Sequence, residues 1–373
     1  MSWTLQLGRP FGIPVRVHVS FLLILGLGAA QWAAPHGARG ALFGVLVTLA
    51  MFACVALHEL GHSLAARAFG IRTKQIVLLP IGGVAELDGK AKKPLHELLI
   101  AVAGPAVNVG IAVVLAGVLG ASAVAGLVEL PTLSGLAPNV VTLGVVLLIG
   151  NGMLALFNLL PFFPLDGGRV LRAVLAFWMG EHKSLRVAAI VGQVGAVGLA
   201  SWAIYSGQLL LIVIAGFMFL SAGAARSAAA IPELVGGLRA GDVCEQGAVV
   251  FEPATTVHEG TRALLCSPQT VFPVALGVEL VGVIGRDRLQ RAGGLVPLSY
   301  VTGIRDRDWP RVDVDRPLVE VLELLATTRS GIAAVYDAEA LVGFVSTELV
   351  YGKVIPRAQR AARTVPPARR EVV

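Results

Sequence analysis

Residues 41 to 70, ALFGVLVTLAMFACVALHELGHSLAARAFG, form an almost unbroken apolar run that contains His58, Glu59 and His62. Ionisable side chains are costly in hydrocarbon, so an apolar helix that carries several of them needs them for a function. On a helix, residues i and i+4 lie on one face, and the two histidines can therefore present ring nitrogens to one ion. A packing role accounts for one buried histidine, but not for two at ligand spacing with a glutamate between them. The HExxH pattern predicts a zinc hydrolase site in which the glutamate takes a proton from water.

The composition of the chain is that of a membrane protein with room for one further domain. Of its 373 residues, 55% are hydrophobic and 14% are charged, and the mean hydropathy is +0.77. These values lie well away from those of soluble domains. The three cysteines, Cys54, Cys244 and Cys266, follow no CxxC spacing, which argues against a disulfide framework and a cysteine zinc site.

Apolar segments predict six membrane spans within residues 1–226. The first, VHVSFLLILGLGAAQWAA, begins at Val17 and ends near residue 34. A cleaved signal peptide is the alternative for this segment, because it follows a basic start and ends in small residues. A retained span is favoured. The HExxH helix is the second span, and the remaining four cover residues 95–120, 140–160, 187–206 and 208–225.

Two irregular segments interrupt this pattern. In residues 71–94, β-branched residues flank a Pro-Gly turn signal, which predicts a β-hairpin beside the metal helix, in or at the membrane. The fourth span runs into PFFPLDGGR, residues 161–169, where prolines and glycines break the helix around Asp166. Irregular backbone at membrane depth is tolerated only where it is buried in protein or lines a cavity, so the break marks a site. From the residues alone, Glu86 and Asp88 on the hairpin remain alternatives to Asp166 as a third ligand.

Lysine and arginine residues are concentrated in two of the loops between the predicted spans. The loops after the second and the fourth span are rich in both, whereas Arg39 is the one basic residue of the first loop. Because short cytoplasmic loops are enriched in these residues, both termini and the C-terminal domain are expected in the cytoplasm. This orientation in the cell membrane brings the HExxH motif and Asp166 to a similar depth.

The C-terminal part has the pattern of a soluble α/β domain. Residues 227–238 are expected to form a linker, and residues 239–355 contain a repeat of about sixty residues whose copies end in VGVIGRDRL and VGFVSTELV. Residues 356–373 carry five arginines and two adjacent prolines, which predicts a basic disordered tail.

HELGH in the second span, GPAVN in the third and NLLPFFPLDGGR after the fourth together resemble the site-2 protease family of intramembrane zinc metalloproteases. The PIGG turn of the hairpin is similar to that family too, and the C-terminal repeat resembles a pair of CBS modules. The resemblance implies a mostly α polytopic membrane domain, with six transmembrane helices and a membrane-associated β-hairpin. A soluble α/β CBS pair would follow it.

The resemblance also implies the catalytic residues. One Zn²⁺ per chain would be held by His58, His62 and Asp166, with Glu59 as the proton acceptor and donor. Asn158 would be a polar group near the cleaved carbonyl, for which helix packing is the alternative.

A transmembrane protein is the implied substrate. Its helix must unwind locally before cleavage, and the hairpin could hold the unwound segment by strand addition. Asn108 and the Gly82–Gly83 pair are expected to contact this segment, although packing and turn geometry explain them equally well. A CBS-regulated transporter or channel, or an inactive membrane receptor, is the competing function. The intact HExxH motif argues against the inactive receptor, and an ion pathway would place charges on several spans at several depths, which argues against the transporter or channel. No nucleic-acid partner is expected.

The repeat departs from the usual CBS pattern at the residues that hold a nucleotide ribose. A pattern similar to GxxTxxD would place Thr and Asp there, but the chain has Gly285 and Arg288 in the first module and Ser346 and Leu349 in the second. The missing carboxylates put adenine nucleotide binding in doubt. Formation of a homodimer, or docking of the substrate, is at least as well supported as a role for the pair.

Overall fold

The structure, a computed structural model, describes residues 3–364 apart from residues 81, 90, 92, 130, 133–135, 247, 248 and 278. The chain divides into two compact units, Met1–Ala229 and Ala230–Val373. The first six helices are Phe21–Ala68 (α1), Pro94–Val124 (α2), Val140–Asn158 (α3), Asp166–Met179 (α4), Glu181–Tyr205 (α5) and Leu209–Val235 (α6).

Five helices among the described residues are long and apolar enough to cross a membrane. They are α1, α2, α3, α5 and residues Leu209–Pro232 of α6. Helix α4 has 14 residues and spans about 21 Å, which is too short for the hydrocarbon core. The protein is therefore a multi-pass membrane protein.

Helix α1 reverses its direction. A straight helix of its 48 residues would be about 72 Å long, yet the ring centroids of Phe21 and Phe52 lie 4.5 Å apart. The reversal occurs at Gly37, whose backbone is not helical (φ 60°, ψ −148°). The two arms, residues 21–36 and 38–68, pack closely because a Cβ on Gly44 would lie 2.2 Å from the carbonyl oxygen of Gly28.

The first unit also contains a four-stranded sheet in the order β1-β2-β3-β4. Its strands are Thr4–Gly8 (β1), Val15–His18 (β2), Arg72–Leu79 (β3) and Gly82–Asp88 (β4). Strands β2 and β3 are parallel and the other pairs are antiparallel. Strands β3 and β4 form the hairpin expected from the sequence, and β4 is an edge strand.

The first apolar helix begins later than the sequence predicts. Residues 17 and 18 belong to strand β2, and helix α1 begins at Phe21. The reason is tertiary: Val15 pairs with Ile76 of β3, and both pack against Leu60 of α1 in one apolar cluster. A local apolar run cannot reveal such a partner, which is distant in sequence.

The break after α3 positions the start of α4. Residues 159–165 join the two helices, and Asp166 is the first residue of α4. The loop packs onto the first turn of α4, since a Cβ on Gly167 would lie 2.2 Å from the carbonyl oxygen of Leu160 and one on Gly168 would lie 2.5 Å from the amide nitrogen of Phe163.

The second unit consists of two similar modules. The first contains Ala240–Val243 (α7), Val257–Cys266 (α8), Val271–Leu276 (β5), Glu279–Gly285 (β6) and Arg286–Leu295 (α9). The second contains Arg311–Asp313 (β7), Leu318–Thr327 (α10), Ile332–Asp337 (β8), Ala340–Ser346 (β9) and Thr347–Leu349 (α11). Glu245, ahead of the first module's strands, pairs with Phe344 of the second, and Asp306 pairs with Val283 of the first.

Two boundaries of the sequence analysis are corrected here. Helix α6 continues to Val235, which is buried in the core of the second unit, so most of the expected linker 227–238 is helical. Residues Ile355–Thr364 form helix α12, so the expected tail is helical as far as Thr364; residues 365–373 lie outside the described residues. Burial of Ile355 in the same core explains why this helix forms.

Candidate metal centre and active site

Three side chains from two helices converge in the first unit. His58 and His62 lie on the second arm of α1, and Asp166 is the first residue of α4. The Nε2 atoms of the two histidines are 3.1 Å apart, and each is 3.1 Å from Oδ2 of Asp166. All three residues are buried. The helix break therefore brings Asp166 to the HExxH motif, across more than one hundred residues of sequence.

Helix α2 contacts the far side of both imidazoles. Nδ1 of His58 bonds to Oδ1 of Asn108, and Nδ1 of His62 bonds to the carbonyl oxygen of Ile100 at 2.7 Å. A carbonyl oxygen only accepts, so His62 carries its hydrogen on Nδ1 and leaves Nε2 free as a ligand atom.

Gly104 of the GPAVN motif forms a wall of the site. A Cβ at this position would lie 2.3 Å from Nε2 of His62 and 2.8 Å from Nε2 of His58. Only a hydrogen atom fits there, so the backbone of α2 can approach the three ligand atoms. The small residues of this motif predict close helix packing, but this role of Gly104 does not follow from the sequence.

This arrangement fits a zinc ion. Two imidazole nitrogens and a carboxylate oxygen are a usual zinc donor set, and in a tetrahedral site with bonds of about 2.0–2.1 Å the ligand atoms lie about 3.3 Å apart. The observed 3.1 Å spacings are close to this value. The hairpin carboxylates have other partners: Glu86 accepts from Gln75 at 2.9 Å, and Asp88 pairs with Lys74 at 3.2 Å.

Glu59 lies under the start of strand β4. A Cβ on Gly83 would lie 2.4 Å from Cγ of Glu59 and 3.0 Å from its Oε1. The hairpin thus contacts the expected proton acceptor through a residue without a side chain. Gly82 has a different role: its φ of 137° lies in the region that favours glycine, and a Cβ there would meet nothing within 4 Å.

Comparison with known proteins decides the family. The profile of Peptidase family M50 matches residues 46–201. A zinc metalloprotease of Methanocaldococcus jannaschii is 30% identical over 338 residues, which cover 88% of this chain and 90% of the relative. The chain belongs to peptidase family M50. It is an intramembrane zinc metalloprotease, and the membership decides against the transporter or channel alternative.

Two solved structures are similar to parts of this M50 protease. A site-2 protease from Methanocaldococcus jannaschii is 33% identical, covers 60% of this chain and 95% of that chain, and has a TM-score of 0.44. A hemolysin-like protein containing a CBS domain, from Oenococcus oeni PSU, is 20% identical, covers 31% of this chain and 88% of that chain, and has a TM-score of 0.27.

Asn108 and Asn158 were expected to contact the substrate and the cleaved carbonyl, respectively, and the structure of the M50 protease bears on the two expectations differently. Asn108 is fully buried and bonds to His58 and Asn151, so its amide faces protein and the expected substrate contact is wrong. Asn158 is half-buried and ends α3 immediately before the loop that carries Asp166. Its role at the cleaved carbonyl stays a prediction.

An ion pair between Glu97 of α2 and Arg172 of α4 was missed by the sequence analysis. The side chains are 9% and 19% exposed, and they join the helix of Gly104 to the helix of Asp166. The sequence contains a signal for this ion pair. Glu97 lies inside the third apolar segment, and a charged side chain in such a segment requires a partner of opposite charge. From the sequence, Arg172 is one of the basic loop residues that indicate the orientation of the protein in the membrane.

Proposed function

We propose that His58, His62 and Asp166 hold one Zn²⁺ and that Glu59 is the general base and acid of peptide hydrolysis. The observation that carries this proposal is the convergence of two Nε2 atoms and one carboxylate oxygen, with 3.1 Å between each pair. When bound, zinc would polarise the scissile carbonyl and lower the pKa of a water molecule. These residues support that chemistry because their free lone pairs point to one place.

Glu59 handles the proton in this proposal. It follows His58 in sequence and extends to Gly83 of the hairpin. From there its carboxylate takes the proton of the attacking water and passes it to the leaving amine nitrogen. Asn158, at the end of α3, would donate its amide hydrogen to the oxygen of the cleaved carbonyl.

The substrate is a transmembrane segment of another protein in the lipid bilayer. A helix in the membrane has its backbone groups bonded internally, so the segment must unwind before water can attack it. Strand β4 is an edge strand and can pair with the unwound segment through its free backbone groups. Its first residues lie beside Glu59, so a segment paired there passes the carboxylate.

Six crossings follow if each arm of α1 is a span of its own. The reversal at Gly37 supports this count, together with α2, α3, α5 and α6. The enrichment of two loops in Lys and Arg then supports a cytoplasmic location of both termini and of the second unit, with the hairpin at the cell membrane.

The second unit is proposed to act as a CBS pair in substrate docking or homodimer formation. Arg288, at one position where the CBS pattern has an aspartate, is bonded to Asp306. Leu349, at the other, is buried. Neither position offers a carboxylate to a ribose, which supports a role without adenine nucleotide.

The decisive experiment replaces Glu59 by Gln in the full-length protein. Gln cannot accept the proton but leaves both histidines in place, so the variant should keep one zinc per chain and lose cleavage of a single-span substrate. Asp166→Asn should lower zinc content as well as cleavage, whereas Asp88→Asn should change neither. Retained cleavage by Glu59→Gln would disprove the proposed role of Glu59.

A further inference from the structure

Polar side chains behind His58 form a chain of hydrogen bonds that crosses three helices. His58 of α1 bonds through Nδ1 to Oδ1 of Asn108 of α2 at 2.5 Å. Nδ2 of Asn108 donates to Oδ1 of Asn151 of α3 at 2.8 Å, and Nδ2 of Asn151 donates to the carbonyl oxygen of Leu147 at 2.8 Å. Both asparagines are fully buried in apolar helices, where an unbonded amide is costly.

The direction of every bond in this chain follows from its last member. The carbonyl oxygen of Leu147 can only accept, so the group of Asn151 that faces it must be the NH₂ group. The oxygen of Asn151 then faces Asn108 and requires the NH₂ group of Asn108. The oxygen of Asn108 is left to face the imidazole, so Nδ1 of His58 carries the hydrogen. A neutral imidazole has one N–H, and Nε2 of His58 is therefore free to bind the metal.

The two histidines differ in how their tautomer is set. A backbone carbonyl, that of Ile100, faces Nδ1 of His62 and cannot change its role. His58 faces a side-chain amide, which can rotate by 180° and offer N–H in place of oxygen. With Asn108 in the rotated state, Nδ1 of His58 would accept and Nε2 would carry the hydrogen, which would point at the metal position.

We propose that Asn151 is a positioning residue that holds Asn108 in one orientation and thereby keeps Nε2 of His58 free for zinc. Asn151 bonds to Asn108 and to the carbonyl oxygen of Leu147, and it acts on His58 through Asn108. The inference rests on the proposed zinc site and adds the residue that sets the protonation pattern of one ligand. It also explains why a polar side chain is retained in the middle of the apolar helix α3.

The test compares Asn151→Leu with the wild-type full-length protein in detergent. Leu has the same branching at Cγ as Asn but makes no hydrogen bond, so Asn108 can rotate and zinc affinity should fall by about 10–100-fold, as for other residues that orient a ligand. Zinc affinity is measured by competition with a chelator. The ¹⁵N chemical shifts of the histidine-labelled, metal-free protein report the tautomer directly, and the Nε2–H form of His58 should become populated in the variant only.

Two further variants separate this role from general damage to α3. Asn139→Ala removes the N-cap bond to the amide of Thr142 on the same helix, and it should leave tautomer and zinc affinity at wild-type values. Asn151→Asp in its neutral form can still donate to Leu147 and accept from Asn108, so this form should retain both properties.

The outcomes distinguish the inference from the proposed function. If the wild-type protein binds no zinc, the proposed metal site fails. If the wild-type protein binds zinc and Asn151→Leu has the same affinity and the same tautomer, only the role of Asn151 is overturned. Loss of affinity in Asn139→Ala to the same degree would also overturn it, because the effect would then belong to the helix.

Discussion

A methyl group on Gly104 would lie 2.3 Å from Nε2 of His62, and so would occupy the space that the metal needs. The backbone of α2 forms the wall of the site here, and its position is held by the hydrogen bonds that the two imidazoles donate to the oxygens of Ile100 and Asn108. The size of the proposed metal site is therefore set by a residue that is not one of its proposed ligands.

Gly104→Ala should strongly weaken zinc binding. The added methyl group meets ring atoms that are bonded on their far side and cannot move away, so zinc affinity should fall at least about 100-fold. Zinc content and chelator competition measure the effect. Gly110→Ala on the same helix is the matched control, since a Cβ there meets nothing within 4 Å. A Gly104→Ala protein with one tightly bound zinc would contradict this description of the site.

Gly83→Ala should separate chemistry from metal binding. Its Cβ would lie 2.4 Å from Cγ of Glu59, a flexible side chain that can move aside. Folding and zinc content should therefore stay at wild-type values, while kcat should fall about 100-fold because the base is displaced by about 1 Å. Val84→Ala, at an exposed neighbour in the same strand, should retain full activity. An unchanged kcat in Gly83→Ala would mean that the carboxylate of Glu59 does not work from beside the hairpin.

Glu97→Gln should destabilise the membrane unit. The change leaves Arg172 buried without its counter-charge, which costs about 3–5 kcal/mol. The thermal unfolding midpoint in detergent should fall clearly, and zinc should be lost at a lower temperature because α4 carries Asp166. The double variant Glu97→Leu, Arg172→Met should recover most of the stability, because it removes both charges.

The exposed pair Lys74–Asp88 is the control for this measurement. Its side chains are 54% and 58% exposed, and Asp88→Asn should change the stability by no more than about 1 kcal/mol. An equal loss of stability in Asp88→Asn and Glu97→Gln would show that burial of the Glu97 pair is not what matters.

Glu245 should make the stability of the second unit depend on pH. Burial by itself raises the pKa of Glu245, but the bonds from Lys353 and Thr270 outweigh burial and hold this pKa below the ordinary carboxyl value. A lowered folded-state pKa contributes stability above the ordinary value, and this contribution is lost as the pH falls through the folded-state pKa.

Glu245→Gln should therefore lower the stability of the full chain by about 1 kcal/mol at pH 7, and the difference from wild type should vanish below the ordinary carboxyl range. Hydrogen exchange of the second unit, followed from pH 7 downwards, measures this. Glu279→Gln, on strand β6, is the control. Glu259→Gln is unsuitable as a control because Glu259 caps a helix. A constant difference at all pH values would contradict the role of the carboxylate charge.

The sequence predicted that His58, His62 and Asp166 belong to one site because the signals for them are local. The i, i+4 spacing of His58 and His62 places two candidate ligands on one helical face, and the helix break at PFFPLDGGR indicates that Asp166 belongs to a site. The two-strand hairpin and the repeat of the second unit were also predicted from local patterns. By contrast, strands β1 and β2, the reversal of α1 and the helical course of the expected linker depend on partners far away in the chain.

The sequence by itself therefore determined which side chains can do chemistry. Ionisable side chains are costly in an apolar helix, so their presence there can be recognised from the sequence. Only the tertiary structure decided which atoms of these groups face one another. Asn108 faces His58 rather than a substrate, Gly104 rather than a side chain borders the ligands, and Asn151 sets the direction of the bonds between them. Such relationships arise where three helices meet, and no periodicity within one helix can encode the position of its neighbours.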